Sequence, residues 1–288
     1  MDGIDIRRDV IFNKAAGRPL KLDIYRPKAG GNGAAVLMIH GGGWSRGSKE
    51  MLAPHAMALA EQGFVAIPAE YRLTGEARFP AQIHDVKRAI RWVRGQAGEL
   101  GFDPDKLCLE GHSAGAHLVL LAAGTPDDKR LDPPEGAGGV SAVVAAVAAV
   151  YPPVLFYLGE TRPSGGLPAR SLPGADDSEE AVMLASPIEH VTPALPPVML
   201  LHGDADKVVP VSASRRYEER VRAVGGKVDL HIFGGLPHGF GNHEEFRPMM
   251  MTMIGGFFRR IVTEPEAFIF GPSRAEQAAA AAVAVPAE

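Results

Sequence analysis

The sequence predicts an α/β fold, a mostly parallel sheet of eight strands flanked by helices. Three observations lead there. Short, β-branched-rich apolar runs alternate with amphipathic segments along most of the chain. The later runs are nearly continuous in apolar residues, as strands covered on both faces require. Gly-rich segments holding Ser, Asp and His follow several of these runs, where the carboxyl ends of parallel strands would gather them.

In chain order, the first strand is expected at Ile4–Phe12, paired as a hairpin with Leu20–Tyr25 across the Gly17-Arg18-Pro19 turn. Further strands are expected at Ala34–Ile39, Phe64–Ala69, Lys106–Leu109, Ala142–Val150, Val198–Leu201 and Val228–Phe233. Pro80–Gln96 reads as a helix: Ile83, Val86, Ile90 and Val93 recur at steps of three and four, with Lys87, Arg88, Arg91 and Arg94 on the other face. Ser212–Val224 repeats the pattern through Ala213, Tyr217, Val221 and Val224, and Gly225-Gly226 stops it. Glu244–Ile261 carries Phe246, Met250, Ile254, Phe257 and Ile261, and its methionines read as core filling.

Thr125 to Pro187 breaks the rhythm. Rich in Pro, Gly and Asp outside its one strand, it is too long for simple connections and reads as a cap-like insertion over the site. Residues 1–262 read as one domain, and 263–288, ending in the Ala- and Val-rich Ala275–Glu288, as a tail without function.

Composition narrows the function. A net charge of −4 with no Lys/Arg-rich block argues against a nucleic-acid partner. The single cysteine, Cys108, excludes an intrachain disulfide and a multi-cysteine metal site, and its apolar setting marks it as a buried strand residue. His243-Glu244-Glu245 lacks the second histidine of a zinc motif, so neither metal nor organic cofactor is expected. Asp127-Asp128 and Asp176-Asp177 read as solvated loop charges. Met1–Asp9 has no apolar signal core and Val140–Val150 is too short to span a membrane, so the expectation is a cytoplasmic protein.

The chemistry begins at Gly111-His112-Ser113-Ala114-Gly115, between the strand Lys106–Leu109 and the apolar helical run Ala116–Ala123. A serine on that strand-to-helix turn is lifted to the end of the sheet and faces the N–H groups of the helix. His40-Gly41-Gly42-Gly43-Trp44 ends another strand, and its glycines let amides approach a ligand. The Gly42, Gly43 and Ala114 N–H groups are assigned to an oxyanion hole. His40 itself reads as a structural hydrogen-bonder of this loop.

A serine hydroxyl needs a base and an orienting acid. His238 follows the strand Val228–Phe233 in a Gly/Pro loop, at the sheet edge where Ser113 should be. The acid comes from His202–Pro210: Asp206, with Asp204 as the alternate.

On His40–Trp44, Glu70-Tyr71-Arg72-Leu73, Phe79-Pro80-Ala81-Gln82, Asp85, Gly111–Gly115, His202–Pro210 and Pro237-His238-Gly239-Phe240, the chain resembles the esterase/lipase branch of the α/β-hydrolase superfamily. It is most similar to the bacterial feruloyl- and acetyl-esterase-like group, related to the hormone-sensitive-lipase-like esterases and the arylformamidases. The likeness spans roughly 20–262. It implies the α/β-hydrolase fold, the chain order Ser113, Asp206, His238 for the triad, and the second aspartate of the His202–Pro210 run as its acid. Relatives often carry Asp where Glu70 stands, a position read as structural.

The expected reaction is hydrolysis of carboxylic esters of short or aromatic acyl groups through an acyl-enzyme, with a small-molecule ester or an acylated saccharide as substrate. Formamide or other amide hydrolysis on the same triad is the enzymatic alternative, and a ligand-binding hydrolase-like protein the non-enzymatic one. Trp44, Tyr151, Phe156 and Tyr157 are candidates to line the substrate pocket.

Overall fold

In the computed structural model the apolar runs assemble into one sheet of eight strands, with helices packed on both of its faces. The structure describes residues 3–14, 17–136 and 138–268, so the Ala275–Glu288 segment lies outside the described residues. The strands are β1 (Ile4–Asn13), β2 (Leu20–Pro27), β3 (Ala35–Ile39), β4 (Val65–Ala69), β5 (Leu107–His112), β6 (Val147–Val150), the short β7 (Phe156–Tyr157) and β8 (Leu167–Pro168), β9 (Val198–Gly203) and β10 (Val228–Phe233). The helices are α1 (Ala53–Ala60), α2 (Ala81–Gly95), α3 (Ala97–Leu100), α4 (Ala114–Gly124), α5 (Glu179–Ala185), α6 (Ser212–Ala223) and α7 (Arg247–Phe258).

The strand order in the sheet is β1-β2-β4-β3-β5-β6-β9-β10, and β7 pairs with β8 apart from it. β1 and β2 form the expected antiparallel hairpin, β2 runs antiparallel to β4, and all later neighbours are parallel. One face is covered by α2, α4 and α6 through Ile83, Ile90, Leu118, Tyr217 and Val221. The other is covered by α1 and α7 through Leu59, Met250, Ile254 and Phe257. The methionines Met250 and Met251 are core filling, and Cys108 is fully buried in β5, where burial pushes its thiol pKa up. Among the described residues no helix is long and apolar enough to cross a membrane.

Two differences from the sequence reading have physical causes. In Ala142–Val150 the strand is Val147–Val150, with Ala145 N–H and the Ala146 carbonyl still bonded to Leu107 and Leu109 of β5. Upstream, Arg94 on α2 takes the Ser141 carbonyl at 3.1 Å and also the Val143 carbonyl, so side-chain donors replace a strand ladder there. The basic face of α2 is also not simply solvated. Lys87 is fully buried and Arg91 nearly so; both pair with Asp132, at 3.2 and 2.7 Å. This face carries the stretch after Gly124. The loop aspartates are likewise engaged: Asp128 pairs with Arg130, Asp177 with Arg78, and Asp176 accepts from Gly174 N–H.

Candidate active site

β5 runs straight into α4, and the one residue between them is Ser113. Its backbone is at φ 52°, ψ −115°, a conformation that costs a side-chain-bearing residue about 1–3 kcal/mol. The turn is tight enough to fix its neighbours. A Cβ on Gly115 would lie 2.0 Å from the Ile39 carbonyl oxygen, and one on Gly111 2.6 Å from Gly115 backbone atoms. Both flanking glycines are therefore steric requirements of the turn. Ser113 N–H donates to the Val150 carbonyl at 2.9 Å, which ties the turn to the end of β6.

Ser113 Oγ lies 2.9 Å from His238 Nε2, and His238 Nδ1 lies 2.7 Å from Asp206 Oδ2. The other carboxylate oxygen of Asp206 accepts the Val208 and Val209 N–H groups at 2.8 and 2.9 Å, so the acid is held from both ends. Burial pushes the Asp206 pKa up, but hydrogen bonds from His202 and His238, the charge of His238 and the Val209 amide outweigh it. The carboxyl sits well below its ordinary range. Asp204 does a different job: it accepts the Gly235 N–H at 2.6 Å and so fastens the loop that carries His238.

The glycine loop lies beside this line. Gly42 and Gly43 adopt φ of 117° and 59°, and a Cβ on Gly42 would strike the Arg46 carbonyl at 2.0 Å. The Gly42 carbonyl accepts from Ser45 and Arg46 N–H, which closes the turn. Among the described residues, no backbone hydrogen bond takes up the Gly42 or Gly43 N–H. His40 is structural: Nδ1 is 2.7 Å from the Gly41 carbonyl oxygen and its ring stacks on Tyr71 at 4.5 Å. Glu70 accepts from Arg18 and from Lys21 N–H, also a structural role.

The cleft over Ser113 has a volume of about 330 Å³. Of the four aromatic candidates, only Tyr151 lines it, with its ring 4.6 Å from that of His238. The other three are a correction. Trp44 and Phe156 are buried behind the glycine loop, where Trp44 donates to His117 Nδ1 at 3.1 Å and packs on Phe156, and Tyr157 lies beside them in β7. Their places near strand ends suggested a pocket, but the apolar core holds Trp44 and Phe156, and Tyr157 is half-buried away from the cleft. Of Thr125–Pro187, Tyr151 is likewise the only residue lining the cleft, so among the described residues the insertion does not form its walls.

Several cleft residues carried no signal in the sequence. Arg46, Met51, Leu52, Val208 and Asn242 line it, brought together from three separate stretches of the chain. Beneath the cleft is a buried polar group around His112. Its Nδ1 is 3.0 Å from the Tyr151 hydroxyl, and its Nε2 is 2.6 Å from Glu110 Oε1, out of line for a hydrogen bond. The signal was the Glu110-Gly-His112 spacing itself, which alternates both side chains to one face of β5.

This sheet and this turn define an α/β-hydrolase. The BD-FAE family model matches residues 22–221. The chain belongs to that family, within the serine-esterase branch of the superfamily. It is 35% identical over 223 residues to the probable carboxylic ester hydrolase LipM of Mycobacterium tuberculosis, covering 72% of this chain and 50% of that one. It is 26% identical over 242 residues to the isoprenylcysteine alpha-carbonyl methylesterase ICME of Arabidopsis thaliana, covering 81% and 56%. The chain thus spans about half the length of the curated relatives it matches. Among solved structures it is similar to Thermogutta terrifontis esterase 2 phosphorylated by paraoxon, with a TM-score of 0.74 and 28% identity over 95% of this chain and 97% of that one. A truncated carbohydrate esterase from gut microbiota superposes with a TM-score of 0.76 and 27% identity over 91% and 98%.

Proposed function

We propose that this chain hydrolyses carboxylic esters of short or aromatic acyl groups through an acyl-enzyme on Ser113. The observation that carries the reading is the continuous line Ser113 Oγ, His238, Asp206, with contacts of 2.9 and 2.7 Å, opening on the cleft.

His238 Nε2 takes the hydroxyl proton as Oγ bonds to the ester carbonyl carbon, and the C=O electron pair moves onto oxygen. The Gly42, Gly43 and Ala114 N–H groups receive that oxyanion, each such donor being worth about 3 kcal/mol. Asp206 holds the His238 Nδ1–H tautomer and stabilises the imidazolium. Collapse breaks the carbon–oxygen bond to the alcohol, which leaves with the proton from His238. Water then repeats the sequence, giving its proton to His238, and the acid departs as Ser113 recovers its hydrogen. No step calls on a metal or an organic cofactor.

The esterases among its relatives support ester over amide substrates. The paraoxon adduct of the Thermogutta esterase supports a nucleophile open to organophosphates. A cleft of about 330 Å³ stands at the small end of ligand sites, which run to about 1,000 Å³. This size favours short or single-ring acyl groups, and the carbohydrate esterase neighbour supports an acylated saccharide on the alcohol side.

Ser113→Ala should abolish hydrolysis of p-nitrophenyl acetate and butyrate while the protein stays folded by circular dichroism. Paraoxon should add one diethyl phosphoryl group, found on Ser113 by peptide mass spectrometry. Full activity in the variant would overturn the reading. A series in which long fatty-acyl esters are fastest would overturn the assigned acyl class.

A further inference from the structure

The catalytic cleft is chemically lopsided. Met51, Leu52 and Val208 give it an apolar side, and Met51 and Val208 remain 44% and 56% exposed there. Arg46 also lines it, the only arginine or lysine among the described residues to do so. Among the described residues no Asp or Glu lines it. Arg72, Arg88 and Arg91 are held by carboxylates, yet among the described residues no carboxylate or carbonyl partner engages the Arg46 guanidinium.

Arg46 is placed by the glycine loop itself. Its N–H donates to the Gly42 carbonyl at 3.2 Å, and its Cγ would lie 3.3 Å from a Cβ on Gly42. The stem therefore lies against the turn assigned to the oxyanion. A guanidinium presents a planar fork that fits a carboxylate in a bidentate way. Arg46 is exposed, so its pull is modest and open to screening by salt.

We propose that Arg46 selects esters bearing a carboxylate near the scissile bond, with the apolar part of the substrate against Met51 and Val208. This rests on the esterase reading above. The carboxylate can belong to the acyl group, as in a half-ester of a dicarboxylic acid, or to the alcohol, as in an acylated hydroxy acid. Two substrate pairs separate these sources. Mono-p-nitrophenyl glutarate is compared with p-nitrophenyl valerate, and 4-acetoxybenzoate with its methyl ester, each rate divided by the spontaneous rate.

In at least one pair the anionic ester should have a kcat/KM roughly fivefold higher, mainly through KM, at low ionic strength. High salt should shrink that ratio. Arg46→Gln should bring it near one, and Arg46→Lys should keep part of it. The salt response of the unaltered protein serves if a variant folds poorly. A neutral preference in both pairs overturns the inference, as does an anionic preference that survives Arg46→Gln. If neutral esters are cleaved without any anionic preference, the inference alone falls. If none of the esters is cleaved, the esterase reading falls with it.

Discussion

The turn Gly111–Gly115 and the stretch Thr125–Pro187 meet at the end of β6, yet they hold their shapes by opposite means. In the turn, shape comes from local steric fit: φ 52° at Ser113, with no room for a Cβ at either flanking glycine. The stretch that follows is shaped from a distance. Lys87 reaches the Thr125 carbonyl, Arg91 the Val140 carbonyl at 3.0 Å and Arg94 the Ser141 carbonyl at 3.1 Å, all from α2. The first region carries most of its instructions within five residues, with the Ile39 carbonyl of the neighbouring strand adding the demand at Gly115. The second borrows them from a helix some forty residues earlier in the chain. A substitution in the turn should therefore strike fold and chemistry together, and one in the borrowed contacts should strike stability alone.

Gly115→Ala should break the comparison most severely. Its Cβ would meet the backbone oxygen of Ile39, which cannot swing aside, so no folded, active protein is expected from expression and circular dichroism. Gly136→Ala in the insertion has φ 81° but open space around it. It should cost only about 1–2 kcal/mol, read from a urea midpoint. Equal losses at the two positions would contradict the contrast.

Next in size is the acid proposed for the triad. Asp206→Asn removes the partner that fixes the His238 tautomer, and kcat should drop on the order of 10⁴-fold. Asp204→Asn loosens only the loop at Gly235, so a few-fold loss is expected. The reverse ranking would reassign the acid. In the insertion, Lys87→Met removes one of two donors from the Thr125 carbonyl, which keeps the Asp128 N–H, and one of two cations from Asp132, which keeps Arg91. Unfolding free energy should fall by about 3 kcal/mol with kcat retained. A matching loss of kcat would mean that the insertion takes part in catalysis.

The same contrast explains what could be read in advance. The sheet, the hairpin and Ser113 were legible because apolar period and steric need are local properties. Val228–Phe233 was assigned to its last residue. Asp206 is preferred to Asp204 on the family resemblance; the residues alone leave both open, because the partners that distinguish them, His238 and Gly235, stand some thirty residues further along. Trp44 and Phe156 looked like pocket residues because an aromatic ring after a strand fits either cleft or core. His117, one turn into α4, decided for the core by accepting from Trp44. Arg46, Met51 and Val208 were invisible for the opposite reason, since no periodicity marks a side chain left facing a cleft.

The smallest effect tests the residue that joins the two regions. His117 Nδ1 accepts from Trp44 beside the glycine loop, and its Nε2–H donates to the Ala185 carbonyl at 2.8 Å in the insertion. Burial lowers its pKa to about 4, the Ala185 carbonyl opposing and His190 adding to the shift. His55, buried beneath the cleft, is lowered by burial to about 3. Between those values and the ordinary 6.5, the unfolded chain binds protons that the folded one refuses. Stability should therefore be full above that ordinary value and decline as pH falls below it, by about 1.4 kcal/mol per pH unit for each histidine. Urea unfolding at neutral pH and near pH 5 measures the slope. His117→Gln, whose amide can keep both contacts without titrating, should reduce the slope by about one histidine's share. An unchanged slope would mean that His117 takes up a proton in the folded protein, and its bridge between glycine loop and insertion would then lose the Trp44 contact in acid.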